Sequence, residues 1–211
     1  MLLNHPPNKV LVTGQGGTGK TSFWTRYVCN SKHDYHFIFD SEGEFVERSE
    51  FAFKPATTPE ELERQVETGW IVYDPVPMYN EDFETAFAFF CDWFYQLSNH
   101  LPGTKLFACD ELQELVGVNS CPIHFRRLLR LGRRRGIDAI MIAQEPNGIH
   151  NVVRNQLTEV VAFQQLTENA IEFLAALGFD PEELRSLDTG DFVDFMTRRK
   201  KWTRGNVFKM P

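Results

Sequence analysis

No stretch of this 211-residue chain reaches the roughly 18 uninterrupted apolar residues that a membrane-spanning helix requires. The first residues, Met1-Leu2-Leu3-Asn4-His5-Pro6-Pro7, lack both a basic region and an apolar core, which argues against a secretory leader. Cys29, Cys91, Cys109 and Cys121 form no C-x-x-C pair. Neither a disulfide framework nor a zinc site is therefore expected, and a reduced, cytosolic setting is the default. The six histidines stand apart from one another and indicate no metal site. Internal repeats, linkers and low-complexity segments are lacking, so one domain over residues 1–211 is expected. Positive charge is in deficit as well: a net charge of −7 excludes a general nucleic-acid coat.

The charge that is present is unevenly spread. Acids dominate from Asp40 to Glu67, whereas Ile123 to Arg135 carries Arg126, Arg127, Arg130, Arg133, Arg134 and Arg135 with no acid. A second basic cluster, Arg198-Arg199-Lys200-Lys201, is followed by Arg204. Taken alone, either cluster reads first as a solvated face.

The most specific stretch runs from Lys9 to Ser22. An apolar run, Val10-Leu11-Val12, enters the turn Gly14-Gln15-Gly16-Gly17-Thr18-Gly19-Lys20-Thr21, which fits G-x-x-x-x-G-K-[ST]. Glycines permit the tight backbone that aims successive N–H groups at a polyphosphate, and the following helix adds the positive end of its dipole. Residues Gly14 to Ser22 are thus expected to cradle the phosphates of ATP. Lys20 would reach the β- and γ-phosphates, and the Thr21 hydroxyl would ligate Mg²⁺.

Further strands are expected at His36–Phe39, Phe51–Phe53 (a short edge strand), Trp70–Tyr73, Lys105–Cys109, Ile137–Ala143 and Val160–Phe163. Helices are expected at Pro59–Val66, Asn80–Leu97, Ile123–Arg135 and Glu168–Leu177, with a short one from Asp180. Asp191–Met196 and Lys201–Lys209 read as a C-terminal antiparallel hairpin. Strands that alternate with helices, several of them apolar without period-two alternation, predict an α/β fold. It has a mostly parallel central sheet covered by helices on both faces. The Asn80–Leu97 helix is crowded with Phe83, Phe87, Phe89, Phe90, Trp93, Phe94 and Tyr95, so it is either deep in the core or packed on another chain.

Leu106-Phe107-Ala108-Cys109 ends in Asp110-Glu111. This strand is expected beside the phosphate-loop strand, with its carboxyl end delivering both carboxylates to the nucleotide. Asp110 would then hold Mg²⁺, and Glu111 would polarise the water that attacks the γ-phosphate. Gln144 follows Ile140-Met141-Ile142-Ala143 at another strand's carboxyl end, where doubly wound sheets bind ligands. It would sense the γ-phosphate or position the water.

Together these stretches resemble the HerA/FtsK superfamily of P-loop ATPases, which pump DNA through oligomeric rings. Besides the phosphate loop and the Asp110-Glu111 strand end, Asp40-Ser41-Glu42-Gly43-Glu44-Phe45 is similar to the superfamily's D-x-x-G-E-[FY] segment. Gly132 to Pro146 is similar to its G-R-x-x-G…[AT]-Q-x-P stretch, whose glutamine is the nucleotide sensor. Leu187-Asp188-Thr189-Gly190-Asp191-Phe192 resembles the family's L-x-x-G-[ED]-F segment, so the likeness extends from about Val10 to Phe195. One departure is Glu145, where many members carry arginine.

The resemblance implies a RecA-like (ASCE) P-loop NTPase fold, ATP and Mg²⁺ as ligands, a homo-oligomeric, hexameric ring, and double-stranded DNA as partner. Such rings take an arginine from the neighbouring subunit, for which Arg133, Arg134, Arg135 and Arg154 are candidates. Glu44 reads equally as a nucleotide-side acid or a helix-capping one. Small members without membrane segments or added domains look like the genome-packaging ATPases of tailless icosahedral viruses with an internal membrane. That implies a location in the host cytoplasm or on the virion, with a capsid-vertex or membrane protein as a further partner. The alternative is a nucleotide-gated assembly or scaffolding ATPase, supported if the aromatic helix has an exposed face. A small-molecule kinase is disfavoured, because a glutamate placed to activate water would waste ATP.

Overall fold

The computed structural model describes residues 8–50 and 52–210, and Arg133 by its backbone alone. The apolar runs become strands buried on both faces. Every residue of β1 (Lys9–Thr13) is buried, with β2 (Tyr35–Phe39) and β3 (Trp70–Tyr73) on one flank of the sheet. β4 (Lys105–Cys109), β5 (Ile137–Ala143) and β6 (Glu159–Ala162) are likewise buried throughout. With β7 (Asp191–Met196) and β8 (Lys201–Asn206) they form one eight-stranded sheet in the order β3-β2-β4-β5-β1-β6-β7-β8. All pairings from β3 to β6 are parallel, and the last two are antiparallel. Mostly parallel sheet and C-terminal hairpin are therefore as expected.

One expectation about neighbours is corrected. The Asp110-Glu111 strand, β4, does not lie beside β1: β5 stands between them and pairs with both. Adjacency in the sheet is decided by crossovers, and the apolar pattern of a strand carries no record of its neighbour. The expected edge strand at Phe51–Phe53 also fails where it can be read. Ala52 and Phe53 are not in a strand, and a single parallel bridge, Ala56 to Tyr73, extends that edge instead; Phe51 lies outside the described residues.

Helices flank the sheet on both sides: α1 (Lys20–Asn30), α2 (Glu44–Arg48), α3 (Pro59–Val66), α4 (Val76–Tyr79), α5 (Phe83–Leu97), α6 (Leu112–Leu115), α7 (Ile123–Arg135), α8 (Asn151–Arg154), α9 (Glu168–Ala176) and α10 (Pro181–Ser186). Alternate strand residues feed two cores. Val10, Val12, Leu106 and Ile140 pack with Phe23, Trp24 and Val28 of α1, while Leu11, Phe107 and Met141 pack with α5 and α7. Phe107 is the hub of the second core, with its ring centroid 5.7–6.0 Å from those of Phe87, Phe90, Phe94 and Phe125.

The helix expected over Asn80–Leu97 is divided. Asn80 takes a positive φ of 53°, which stops α4, and Asp82 starts α5 by accepting a hydrogen bond from the Thr85 N–H. Phe87, Phe90 and Phe94 of α5 are buried, and Phe83, Phe89, Trp93 and Tyr95 are half-buried against the same core. The exposed face is polar, so the aromatic excess is accounted for within the chain. No described helix is long and apolar enough to cross a membrane.

Candidate active site

The carboxyl ends of β1, β4 and β5 converge on a cavity of about 570 Å³ lined by Thr21, Asp110, Glu111, Gln113 and Gln144, and by Glu42, Glu44, Glu114 and Glu145. The phosphate loop reaches one wall through Thr21. It is anchored to the segment after β6 by the Gln15 N–H, which donates to Gln164 O (2.9 Å). Gly14 allows this approach: a Cβ there would lie 2.6 Å from the Phe163 Cβ. Lys20 is buried and folded into the loop, where its Nζ donates to Gln15 O (2.7 Å). Burial lowers its pKa, while Glu111 and Glu44 act in the opposite direction. Those two carboxylates are thus electrostatic neighbours of the loop lysine.

Asp110 is buried at the end of β4, where Ser41 Oγ donates to its Oδ1 (3.0 Å). Its Oδ2 is buried with no hydrogen-bond partner. Burial, reinforced by the charge of Asp40, pushes the Asp110 carboxyl up to about 8. An unpaired carboxylate oxygen in such a place is costly unless a cation meets it. Thr21 and Asp110 line the same cavity, and no group of three carboxylate, histidine or cysteine side chains among the described residues converges on one point. This donor set fits Mg²⁺, which keeps several waters and takes few protein ligands beside substrate phosphates.

Asp40 is buried directly after β2. Its oxygens accept from the N–H groups of Phe45 (3.0 Å) and Val46 (3.2 Å) at the start of α2, and burial raises its pKa to about 6. That capping presents Glu44 to the cavity, where it also pairs with Arg48 one helical turn on (3.5 Å).

Glu111 and Gln144 are brought together. The Gln144 Nε2 donates to Glu111 Oε1 (3.0 Å), the Gln113 Nε2 donates to Glu111 Oε2, and the Gln144 N–H donates to Gln113 Oε1 (3.2 Å). Thr13 at the end of β1 bonds Gln144 O from behind (3.5 Å) and receives the buried Gln165 Nε2 (3.0 Å). Gln113, Ser41, Thr13 and Gln165 were not singled out from sequence. Thr13 and Ser41 lie in stretches with motif character, but nothing about a lone glutamine two residues after Glu111 marks it.

The arginine candidates lie elsewhere. α7 ends at the edge where β5 begins, a strand length of about 20 Å from Gln144 at the other edge. Arg134 is exposed there. Arg135 is held by Tyr95 O (2.8 Å) and Ser98 Oγ (3.1 Å) and covers the Tyr95 ring at 3.8 Å. The Arg133 side chain lies outside the described residues. Arg154, on α8, bonds Asn151 and sits 5.7 Å from the Phe173 ring. Neither Arg134, Arg135 nor Arg154 lines the cavity of its own chain.

No protein-family model and no curated protein sequence matches the chain. Solved structures do. The genome-packaging NTPase B204 from Sulfolobus turreted icosahedral virus 2, in complex with AMPPCP, superposes with a TM-score of 0.75 at 17% identity, over 96% of this chain and 98% of that one. B204, the DNA-packaging ATPase from Sulfolobus turreted icosahedral virus, gives 0.72 at 17% identity, over 95% and 98%. VirB4 of Thermoanaerobacter pseudethanolicus gives 0.65 at 10% identity, over 96% and 90%. The likeness is one of fold: the chain shares the α/β architecture of these NTPase structures, as the motif resemblance led one to expect.

Proposed function

We propose that the chain is an ATPase domain that hydrolyses ATP to move double-stranded DNA through a homo-oligomeric, hexameric ring, as a viral genome-packaging motor in the host cytoplasm or on the virion. The observation that carries this is one juxtaposition: a phosphate loop, a buried carboxylate with an unpaired oxygen, and a glutamate gripped by a strand-end glutamine, all in one cavity. Its likeness in fold to packaging NTPases supports the wider role.

In this reading Gly14, Gln15, Gly16, Gly17, Thr18, Gly19 and Ser22 wrap the phosphates. Lys20 leaves Gln15 O to meet the β- and γ-phosphates. Thr21 and Asp110 would hold Mg²⁺, which would supply positive charge against the phosphate oxygens that the cavity's own carboxylates otherwise repel. Gln144 turns its amide from Glu111 toward the γ-phosphate, and the released Oε1 takes a proton from water as its oxygen bonds to the γ-phosphorus. The bond to the β–γ bridging oxygen breaks, and ADP and phosphate result. Arg134, exposed and remote from its own cavity, is suited to serve a neighbour's. A capsid-vertex or membrane protein would anchor the ring.

The test is steady-state ATP hydrolysis with and without double-stranded DNA, beside a Glu111→Gln variant. DNA should stimulate the wild type, and the variant should lose about 100-fold or more in rate while still binding ATP. Hydrolysis indifferent to DNA at low salt, with oligomers present, would transfer the assignment to an assembly ATPase acting on a capsid or membrane partner.

A further inference from the structure

A second cavity, of about 610 Å³, opens where the phosphate loop passes into α1. Ser22, Arg26 and Cys29 line it from one side of α1, Arg48 from α2, and Phe208 and Met210 from the segment after β8. Ser22 directly follows Thr21, so this space begins at the phosphate loop, and neither Glu111 nor Gln144 lines it.

The far wall is built onto the loop. The Gly190 N–H donates to Thr18 O (2.9 Å), and the Val207 N–H donates to Gly190 O (2.8 Å). Asn206 accepts from the Phe208 N–H (3.0 Å), which fixes the turn that carries the ring. Phe208 packs so closely on Gly190 that a Cβ added to that glycine would lie 2.5 Å from the ring. The ring is nevertheless 58% exposed. Arg26 holds the end of this segment by donating to Met210 O (2.8 Å).

An exposed aromatic ring is thus hinged to the phosphate loop through two backbone hydrogen bonds and faces a cavity that starts at the loop's last residue. We infer that Phe208 is the platform for the purine base of the nucleotide, with the ribose passing Ser22. The inference rests on the reading of the loop as an ATP site, and adds where the rest of that molecule lies. Stacking on a phenyl ring tolerates any base but favours the larger face of a purine.

The test is equilibrium titration of the whole chain, in the presence of Mg²⁺, with β,γ-methylene analogues of ATP, GTP and CTP and with inorganic tripolyphosphate. The purine analogues should bind more tightly than the CTP analogue. Phe208→Ala should weaken the purine analogues by about tenfold, leave tripolyphosphate unchanged and remove the purine preference, and Phe208→Tyr should restore both. Equal binding of all ligands by wild type and Phe208→Ala overturns the inference and leaves the phosphate site standing. Equal weakening of nucleotides and tripolyphosphate in Phe208→Ala also overturns it, since Phe208 would then act only by bracing the loop. A wild type that binds neither ATP analogue nor tripolyphosphate refutes both the loop reading and the inference.

Discussion

Glu111 occupies a left-handed backbone conformation (φ 37°, ψ 47°) that non-glycine residues adopt at a cost of about 1–3 kcal/mol. The turn takes the chain from β4 into α6 through Asp110 and Glu111 and aims the Glu111 carboxylate across the cavity at Gln144 after β5. Its two oxygens are then held by different glutamines, Gln144 and Gln113. Gln113 also receives the Gln144 backbone N–H, so it positions both partners without being needed for a chemical step. Gln113→Ala should therefore lower kcat by about tenfold, the equivalent of roughly 1.4 kcal/mol, with little change in KM. Rapid-mixing kinetics would separate this from a binding defect, and a rise in KM at unchanged kcat would refute the positioning role.

At the scale of elements, the β6–β7 pair contains a device of a different kind. Glu159 is buried at the start of β6 opposite Met196, and Asp194, two residues along β7 from Met196 and opposite Val161, is buried with its Oδ1 unpaired. Burial, with Asp194 adding repulsion, raises the Glu159 carboxyl to about 7, and burial raises Asp194 to about 6 although Lys201 opposes the shift. Tyr27 of α1 feels both charges. A carboxyl whose pKa is higher in the folded than in the unfolded chain favours folding fully below its unfolded value, 4.5 for Glu159, and loses that contribution as pH rises through 7. Glu159→Gln should thus be more stable than wild type at pH 8 by on the order of 1–3 kcal/mol, with the difference vanishing near pH 4.5. Thermal melts of both proteins from pH 4.5 to 8 provide the check, and a difference independent of pH would exclude the linkage.

Across the whole molecule, topology sorts charge onto two edges of the sheet. The acidic cavity sits at the carboxyl ends of the parallel strands. α7 ends at the opposite edge with Arg134, and the turn between β7 and β8 brings Arg198, Arg199 and Lys200 to that same edge, because Met196 pairs with Glu159 at the start of β6. Arg198 is close enough to add to the lowering of the pKa of Lys9 at the start of β1. The sheet spacing from β5 to β7 is about 15 Å, so the two clusters form one basic rim. This suits phosphate contacts that do not read bases. Replacing both Arg198 and Arg199 by Glu should reduce affinity for double-stranded DNA of any sequence and flatten the slope of log affinity against log salt by about 2. Filter binding at several salt concentrations measures this; an unchanged slope would place the DNA contact elsewhere.

The sequence by itself determined the parts whose chemistry is local. A phosphate loop needs its glycines and lysine at fixed spacing, so Gly14 to Thr21 could be read directly, as could strands such as Ile137–Ala143 whose unbroken apolar run demands burial on both faces. Strand ends follow from the same runs, so Asp110, Glu111 and Gln144 are expected at the carboxyl edge of the sheet, where the structure has them. What only the tertiary structure decided was adjacency. That β5 separates β1 from β4 depends on how crossovers pack. That Ser41 meets Asp110, that Gln113 closes the ring around Glu111, and that Phe208 lies against Gly190 all join residues from separate stretches of chain or across a tight turn. Side-chain identity fixes what a residue can bond to, but a partner brought in by folding leaves no periodic or spacing signal in the sequence. The uneven charge is visible in the sequence; only the sheet's topology placed part of its acid around the cavity at the strands' carboxyl ends and its basic part on the opposite rim.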